Sequence, residues 1–254
     1  MFIGNFSSEA RIDMEIPRAR DRSAPTLNIP GAFDIEIPPA GLGGTLQVPE
    51  GAHSLVTFAH GSGSSRFSTR NRTVAAALND KGIATLLFDL LTPDEEADRA
   101  NVFNVRLLAD RVTDAVRWLN QRQATANLPL GLFGASTGAA AALVAAAQLP
   151  DRVRAVVSRG GRPDLAGAAL DIVRVPTLLI VGGADLEVIE LNEQALVRLR
   201  GPKALEIIPG ASHLFPEPGA LEAVVRHAAA WFQRYLMNSA ADTGDRRTQT
   251  SRSR

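Results

Sequence analysis

Short apolar stretches alternate along this chain with longer segments in which apolar residues recur every three or four positions. The short stretches are typical of β-strands, and several show little polar alternation, as expected where both faces of a strand are covered. They predict strands at Phe33–Ile37, Gly43–Val48, Ser54–Ala59, Ile83–Phe88, Leu130–Phe133, Arg154–Val157, Thr177–Val181 and Ala204–Ile208. Prolines and glycines separate the first two strands, which predicts an antiparallel hairpin.

The longer segments predict helices between the strands. Residues Val105–Leu119 place charged side chains opposite an apolar face, and Leu221–Tyr235 repeats the pattern. Strands that alternate with helices are typical of a parallel sheet with helices on both faces. We therefore predict an α/β fold with a mostly parallel sheet of about eight strands, in one domain over residues 25–237. Residues 1–24 are predicted to be a poorly ordered extension and the polar residues 238–254 a disordered tail.

Composition and charge narrow the classes of function. The 27 basic and 27 acidic residues of the 254-residue chain cancel, so no net charge attracts nucleic acid or an anionic membrane. Cysteine is absent, which excludes disulfides, thiolate metal sites and a cysteine nucleophile. The N-terminal segment lacks the apolar core of a signal peptide, and no uncharged apolar run approaches the roughly 18 residues of a membrane span. We expect a cytoplasmic protein that contacts neither nucleic acid nor membrane.

The motif Gly134-Ala-Ser136-Thr-Gly138 follows a predicted strand and opens an alanine-rich helix. A serine in so sharp a turn needs small neighbours, because its dihedral angles are strained and its hydroxyl must stand clear of the sheet. The start of the helix also favours developing negative charge. The motif therefore predicts Ser136 as a nucleophile and the N–H group of Thr137 as a donor to an oxyanion.

A nucleophilic serine of this kind requires an acid and then a histidine downstream, each in a loop after a strand. Asp185 follows the strand that ends at Val181, and we predict it as the acid, with Glu187 as the alternative. An Asp185 that only caps the next helix is the structural alternative. Of the four histidines, His213 follows the last strand and is the predicted base.

The segment His60-Gly-Ser-Gly-Ser-Ser65 follows the strand that ends at Ala59, where this architecture places a second oxyanion donor. The histidine shapes the loop, and we predict the N–H group of Ser62 as that donor, with Gly63 as the alternative. A different interpretation treats Gly61–Arg66 as a phosphate-binding loop of a phosphometabolite-binding protein. That loop lacks the Lys-Ser/Thr ending of a P-loop and leaves Ser136 unexplained.

Together the His-Gly loop, the G-A-S-T-G turn, Gly182-Gly-Ala-Asp185 and Ala211-Ser-His-Leu-Phe215 resemble the α/β-hydrolase superfamily. The segments at 58–65, 86–92 and 158–164 are most similar to bacterial dienelactone hydrolase-like proteins, some of which are fused to a phosphoribosyltransferase domain. We expect no such second domain here. Dienelactone hydrolases carry a cysteine nucleophile where this chain has Ser136, so we do not assign their substrate to this chain.

The resemblance implies a serine hydrolase that cleaves an ester, lactone or thioester through an acyl-enzyme, with no metal and no organic cofactor. Acyl transfer or perhydrolysis on the same residues is the alternative, and a homodimer stays open. Arg159 and Arg162 follow a strand at the same edge of the sheet and either bind a substrate carboxylate or form internal ion pairs. The short connection Ser158–Val175 leaves no room for a large cap, and the irregular stretch Asp89–Asn104 is the candidate partial lid.

Overall fold

All eight predicted strands are present, and they form one sheet in the computed structural model, which describes residues 31–237. The extension predicted at residues 1–24 and the tail predicted at 238–254 lie outside the described residues. The strands are β1 (Ala32–Ile37), β2 (Leu42–Gln47), β3 (Ser54–Ala59), β4 (Ile83–Phe88), β5 (Leu130–Ala135), β6 (Val153–Arg159), β7 (Thr177–Gly182) and β8 (Lys203–Ile208).

The strand order is β1-β2-β4-β3-β5-β6-β7-β8. As predicted, β1 and β2 form an antiparallel hairpin, and β2 also pairs antiparallel with β4. The pairs from β4 through β8 are all parallel. The carboxyl ends of β3 to β8 therefore meet at one edge of the sheet, which is where ligands bind in open α/β sheets.

Helices cover both faces of the sheet. They are α1 (Thr69–Asn79), α2 (Pro93–Glu96), α3 (Arg99–Val102), α4 (Val105–Asn120), α5 (Thr137–Gln148), α6 (Leu186–Arg198) and α7 (Ala220–Phe232), with a 3-10 helix at Pro163–Asp171 and a π-helical turn at Gln233–Met237. Apolar side chains of α4 and α5 fill the core on one face, and those of α1 and α7 fill the core on the other. The predicted fold class is confirmed.

The connections at the carboxyl edge differ from one another. Between β6 and β7 the chain forms only the 3-10 helix, so the predicted lack of a large cap is confirmed. The stretch Asp89–Asn104 was expected to be irregular, and that expectation is wrong, because the stretch contains α2 and α3. Thr92 and Glu95 cap α2 reciprocally, and Glu95 also pairs with Arg111 of α4. Within residues 31–237, no helix is both long and apolar enough to cross a membrane.

Candidate functional site

Ser136 occupies the turn between β5 and α5 with φ 50° and ψ −124°, a backbone conformation that residues other than glycine rarely adopt. Positions 134 and 138 of the motif have to be glycine. A Cβ atom on Gly134 would lie 2.4 Å from Cα of Ala139, and one on Gly138 would lie 2.3 Å from the carbonyl oxygen of Ala59. The serine N–H donates to the carbonyl of Arg159 at 3.3 Å, which ties the strained turn to the end of β6.

Asp185 and His213 come together from the loops after β7 and β8. Oδ2 of Asp185 lies 2.7 Å from Nδ1 of His213. Asp185 immediately precedes α6, yet its side chain makes no capping hydrogen bond to that helix, and Glu187 is exposed on α6. A carboxylate on Nδ1 fixes the proton of a neutral imidazole there and leaves Nε2 as a proton acceptor. The geometry is that of a base held by its acid.

The end of β6 lies between the serine turn and the histidine loop. Arg159 accepts the hydrogen bond from Ser136, and the next residue, Gly160, packs against His213. A Cβ atom on Gly160 would lie 2.9 Å from the carbonyl oxygen of His213 and 3.7 Å from its Cε1. Ser136 and His213 therefore both contact the short backbone segment Arg159–Gly160.

The loop after β3 contacts the serine directly. A Cβ atom on Gly61 would lie 2.8 Å from Cβ of Ser136, so only glycine permits this approach. The next amide, that of Ser62, donates a 3.0 Å hydrogen bond to Oγ1 of Thr137. Thr137 is the first residue of α5, and the N–H groups of a first helical turn have no partner within the helix. The two amides predicted to hold an oxyanion thus lie next to Ser136.

His60 shapes this loop through both of its ring nitrogens. Nε2 accepts a 3.0 Å hydrogen bond from the N–H of Leu90, and Nδ1 lies 3.0 Å from the carbonyl oxygen of Gly61. An amide can only donate and a carbonyl can only accept, so the ring is neutral with its proton on Nδ1. Burial lowers the pKa of His60 below its ordinary value of 6.5, against the opposing effects of the Gly61 carbonyl and the charges of Asp89 and Glu96.

The two arginines that follow β6 differ in their surroundings. Arg162 donates from Nε and Nη2 to the two carboxylate oxygens of Asp164, at 2.9 and 2.8 Å. Arg159 is 5% exposed, and its guanidinium donates to Oδ1 of Asn71 in α1. Its Nε is buried without a hydrogen-bond partner among the described residues. Burial, together with the charge of Arg70, lowers the pKa of Arg159 to about 10.

Nothing in the sequence indicates that Asn71 and Phe215 are neighbours of Arg159. Asn71 lies in the first turn of α1 and is buried, although an asparagine near the start of a helix is normally exposed to solvent. The ring centroid of Phe215 lies 5.9 Å from the guanidinium carbon of Arg159, and Phe215 adopts a φ of 56°. Only the tertiary fold brings these side chains to the arginine.

No group of three or more His, Asp or Glu side chains within residues 31–237 is arranged to hold a metal ion.

Comparison with known proteins agrees with this architecture. The model of the dienelactone hydrolase family matches residues 62–238. A dienelactone hydrolase of known structure from Anabaena variabilis is 56% identical, with a TM-score of 0.77 over 81% of this chain and 97% of that one. Est1E from Butyrivibrio proteoclasticus is 18% identical, with a TM-score of 0.68 over 80% of this chain and 98% of its own, and shares the fold.

A protein of Mycobacterium tuberculosis that is provisionally named a phosphoribosyl transferase is 59% identical over 198 residues. The match takes in 78% of this chain but 45% of the mycobacterial protein, so the chain spans about half the length of this curated relative. The family match extends over β5, β7 and β8, the strands that Ser136, Asp185 and His213 follow. The chain has the α/β-hydrolase fold and belongs to the dienelactone hydrolase family.

Proposed function

We propose that this protein is a serine hydrolase that cleaves a carboxylic ester, lactone or thioester through an acyl-enzyme on Ser136. One observation carries the proposal: Nδ1 of His213 lies 2.7 Å from the carboxylate of Asp185, at the same edge of the sheet as the strained turn of Ser136. A histidine oriented by a carboxylate is the base that a serine hydroxyl needs in order to act as a nucleophile near neutral pH.

The residues supply each step of such a reaction. Nε2 of His213 takes the proton of the Ser136 hydroxyl as Oγ attacks the carbonyl carbon of the substrate. The N–H groups of Ser62 and Thr137 donate to the oxyanion that forms. The imidazolium then gives its proton to the leaving oxygen or sulfur, which departs and leaves the acyl group on Ser136. Water, deprotonated by His213, releases the acid and restores the serine.

Two interpretations compete with hydrolysis. Acyl transfer and perhydrolysis use the same residues and replace water by an alcohol or by hydrogen peroxide, so a panel of acceptors distinguishes them. Phosphometabolite binding by Gly61–Arg66 is less well supported. In that loop the N–H groups of Ser64 and Arg66 already donate to acceptors within the protein. A phosphate-binding loop instead directs several free N–H groups at its ligand.

Of the two candidate arginines, we assign substrate binding to Arg159 alone. The guanidinium of Arg162 is committed to Asp164 through two hydrogen bonds, which together with the nearby charges raise the pKa of this arginine. Arg159 has no carboxylate partner of this kind in the described part of the chain and retains an unpaired Nε. A buried guanidinium next to the serine turn is suited to the carboxylate of an anionic ester.

Labelling with a fluorophosphonate probe tests the proposed function. The wild-type protein is expected to become covalently labelled, and Ser136→Ala is expected not to label. Ser54→Ala is the matched control, because Ser54 begins β3 at the opposite edge of the sheet and its loss leaves the serine turn intact. A wild-type protein that does not label, or a Ser136→Ala variant that labels equally well, contradicts the proposal.

A further inference from the structure

The hydroxyl of Thr137 bonds to a segment outside its own helix. A threonine inside a helix commonly turns its hydroxyl back to a carbonyl of the preceding turn, but Thr137 is the first residue of α5 and has no preceding turn. Thr137 instead accepts a 3.0 Å hydrogen bond from the N–H of Ser62, a residue of the loop after β3. Thr137 is 5% exposed, so this contact lies within the wall that supports Ser136.

This contact leaves the Thr137 hydroxyl with a proton that it can donate. An oxygen that accepts from an amide directs its own proton away from that amide, and a hydroxyl has one such proton to donate. Within residues 31–237, the bond from Ser62 is the one hydrogen bond that the Thr137 hydroxyl makes. Its proton is therefore available to a further acceptor.

The position of the hydroxyl relative to the reacting atoms identifies that acceptor. Ser136 is bonded through its peptide group to Thr137 on one side, and Gly61 contacts it from the other. An oxyanion that accepts from the amides of both Ser62 and Thr137 lies between these two elements. The Thr137 hydroxyl is 3.0 Å from the first amide and belongs to the same residue as the second.

We propose that the hydroxyl of Thr137 is a third donor to the oxyanion, aligned by the N–H of Ser62 that bonds to it in the resting protein. This inference rests on the proposed serine hydrolase function and extends it. As the oxyanion forms, the N–H of Ser62 is shared between it and Oγ1 of Thr137, and the hydroxyl donates its own proton to the oxyanion. In this series of hydrogen bonds, the bond from the Ser62 N–H polarises the Thr137 hydroxyl and strengthens its bond to the oxyanion. The hydroxyl therefore stabilises the negative charge of the oxyanion more than it stabilises the neutral carbonyl of the ground state.

Two variants at position 137 isolate the hydroxyl, because both retain the backbone N–H. Thr137→Val replaces it by a methyl group of the same shape, and Thr137→Ser restores it. We expect kcat for a p-nitrophenyl ester to fall about 10- to 100-fold in Thr137→Val, with KM nearly unchanged. We expect Thr137→Ser to stay within about threefold of wild type. Thr137→Ala is the second variant without a hydroxyl, for use where the valine protein does not fold.

A role in positioning the loop alone would also lower kcat, so a second measurement is needed. A trifluoromethyl ketone adds to Ser136 as a hemiketal whose oxygen occupies the oxyanion site, and its ionisation is measured by ¹⁹F nuclear magnetic resonance across pH. A donor that contacts this oxygen lowers the hemiketal pKa. We expect that pKa to be higher in Thr137→Val than in wild type by about 1 pH unit, the equivalent of a tenfold loss, and to be restored in Thr137→Ser.

The outcomes separate this inference from the proposed function. A wild-type protein that does not react with the fluorophosphonate probe overturns both. A wild-type protein that reacts, beside a Thr137→Val protein with wild-type kcat, overturns the third donor alone. An unchanged hemiketal pKa in a Thr137→Val protein of reduced kcat also overturns it, since the hydroxyl would then act only on the loop.

Discussion

The carboxylate of Asp185 approaches Nδ1 of His213 to 2.7 Å, although the two residues lie in loops after different strands and are 28 positions apart. The loops that carry them are joined by backbone hydrogen bonds, one of which runs from the N–H of Ala184 to the carbonyl of Ala211 at 2.9 Å. The orientation of the imidazole therefore depends on the packing of β7 against β8 as well as on a single contact.

Asp185→Asn is expected to abolish most of the activity while leaving the fold unchanged. The amide favours the wrong tautomer of His213 and does not stabilise the imidazolium, which in serine hydrolases costs about 10³- to 10⁴-fold in kcat. Steady-state kinetics on a p-nitrophenyl ester measures the loss, and the melting temperature checks the fold. The matched control is Glu187→Gln, two residues along and exposed, which is expected to keep wild-type kcat. Equal losses in the two variants would rule out Asp185 as the acid.

Gly61→Ala is expected to inactivate the protein by displacing the loop from the serine. The added Cβ would lie 2.8 Å from Cβ of Ser136, so one of the two elements has to move. A shift of several tenths of an ångström in catalytic groups lowers kcat by about 10²-fold, and the overpacking costs about 1–3 kcal/mol of unfolding free energy. Kinetics and urea denaturation on the same preparation measure both effects.

Gly51→Ala is the control for that prediction. Gly51 adopts a φ of +68° with no atom near the position of its missing Cβ, in the turn between β2 and β3. The alanine is strained there by about 1 kcal/mol, but it touches nothing. We expect a comparable loss of stability with full activity. An active Gly61→Ala protein would show that the loop does not need its contact with Ser136.

His60 is expected to make the fold sensitive to acid. Burial lowers its pKa in the folded protein below 6.5, whereas the unfolded chain titrates near that value. Between the lowered pKa and about pH 6.5 the unfolded state binds more protons, so the contribution of His60 to the free energy of unfolding falls as the pH drops through this interval and is constant above it. Protonation also breaks the hydrogen bond that Nε2 accepts from Leu90.

Urea denaturation at a series of pH values tests this prediction. The slope of unfolding free energy with pH is expected to flatten in His60→Gln over the interval just below pH 6.5, because glutamine does not titrate. A His60→Gln protein with an unchanged slope would mean that another group accounts for the acid sensitivity.

Much of the site was predictable because its chemistry is encoded locally. The strand-turn-helix around Ser136 is specified by two glycines and an apolar strand, and the order of Asp185 and His213 follows from the topology of the sheet. The strands themselves were predictable from their apolar runs, since these are covered on both faces. Each of these features depends on a window of about ten residues or on the chain order.

The remainder depends on contacts between distant segments or on weak local signals. Asn71 and Arg159 are 88 residues apart, and nothing in either sequence window points to the other. The bond between Leu90 and His60 is likewise set by the neighbouring positions of β3 and β4. Helix α2 was missed although Thr92-Pro-Asp-Glu95 is a recognisable capping box with proline at the first helical position, because a helix of four residues has no hydrophobic period.

Arg159→Met is expected to distinguish anionic from neutral substrates. If the buried guanidinium binds a substrate carboxylate, its loss removes a charge-assisted hydrogen bond and lowers kcat/KM for a p-nitrophenyl monoester of a dicarboxylic acid by about 10-fold or more. The neutral p-nitrophenyl butyrate lacks that group, and its kcat/KM is expected to change by less than about threefold. Stability is expected to change little, because the methionine removes a buried charge that has no carboxylate partner among residues 31–237.

The control for Arg159→Met is Arg154→Met, an exposed position near the amino end of the same strand. It removes the same charge from the protein without touching the carboxyl edge, and both substrates are expected to react with it as with wild type. Long-range attraction of anions would fall equally in the two variants and would be weakened by salt. Selective loss in Arg159→Met that persists at high salt supports direct binding by this guanidinium. Equal losses for the two esters would instead assign Arg159 to the support of Phe215 and α1.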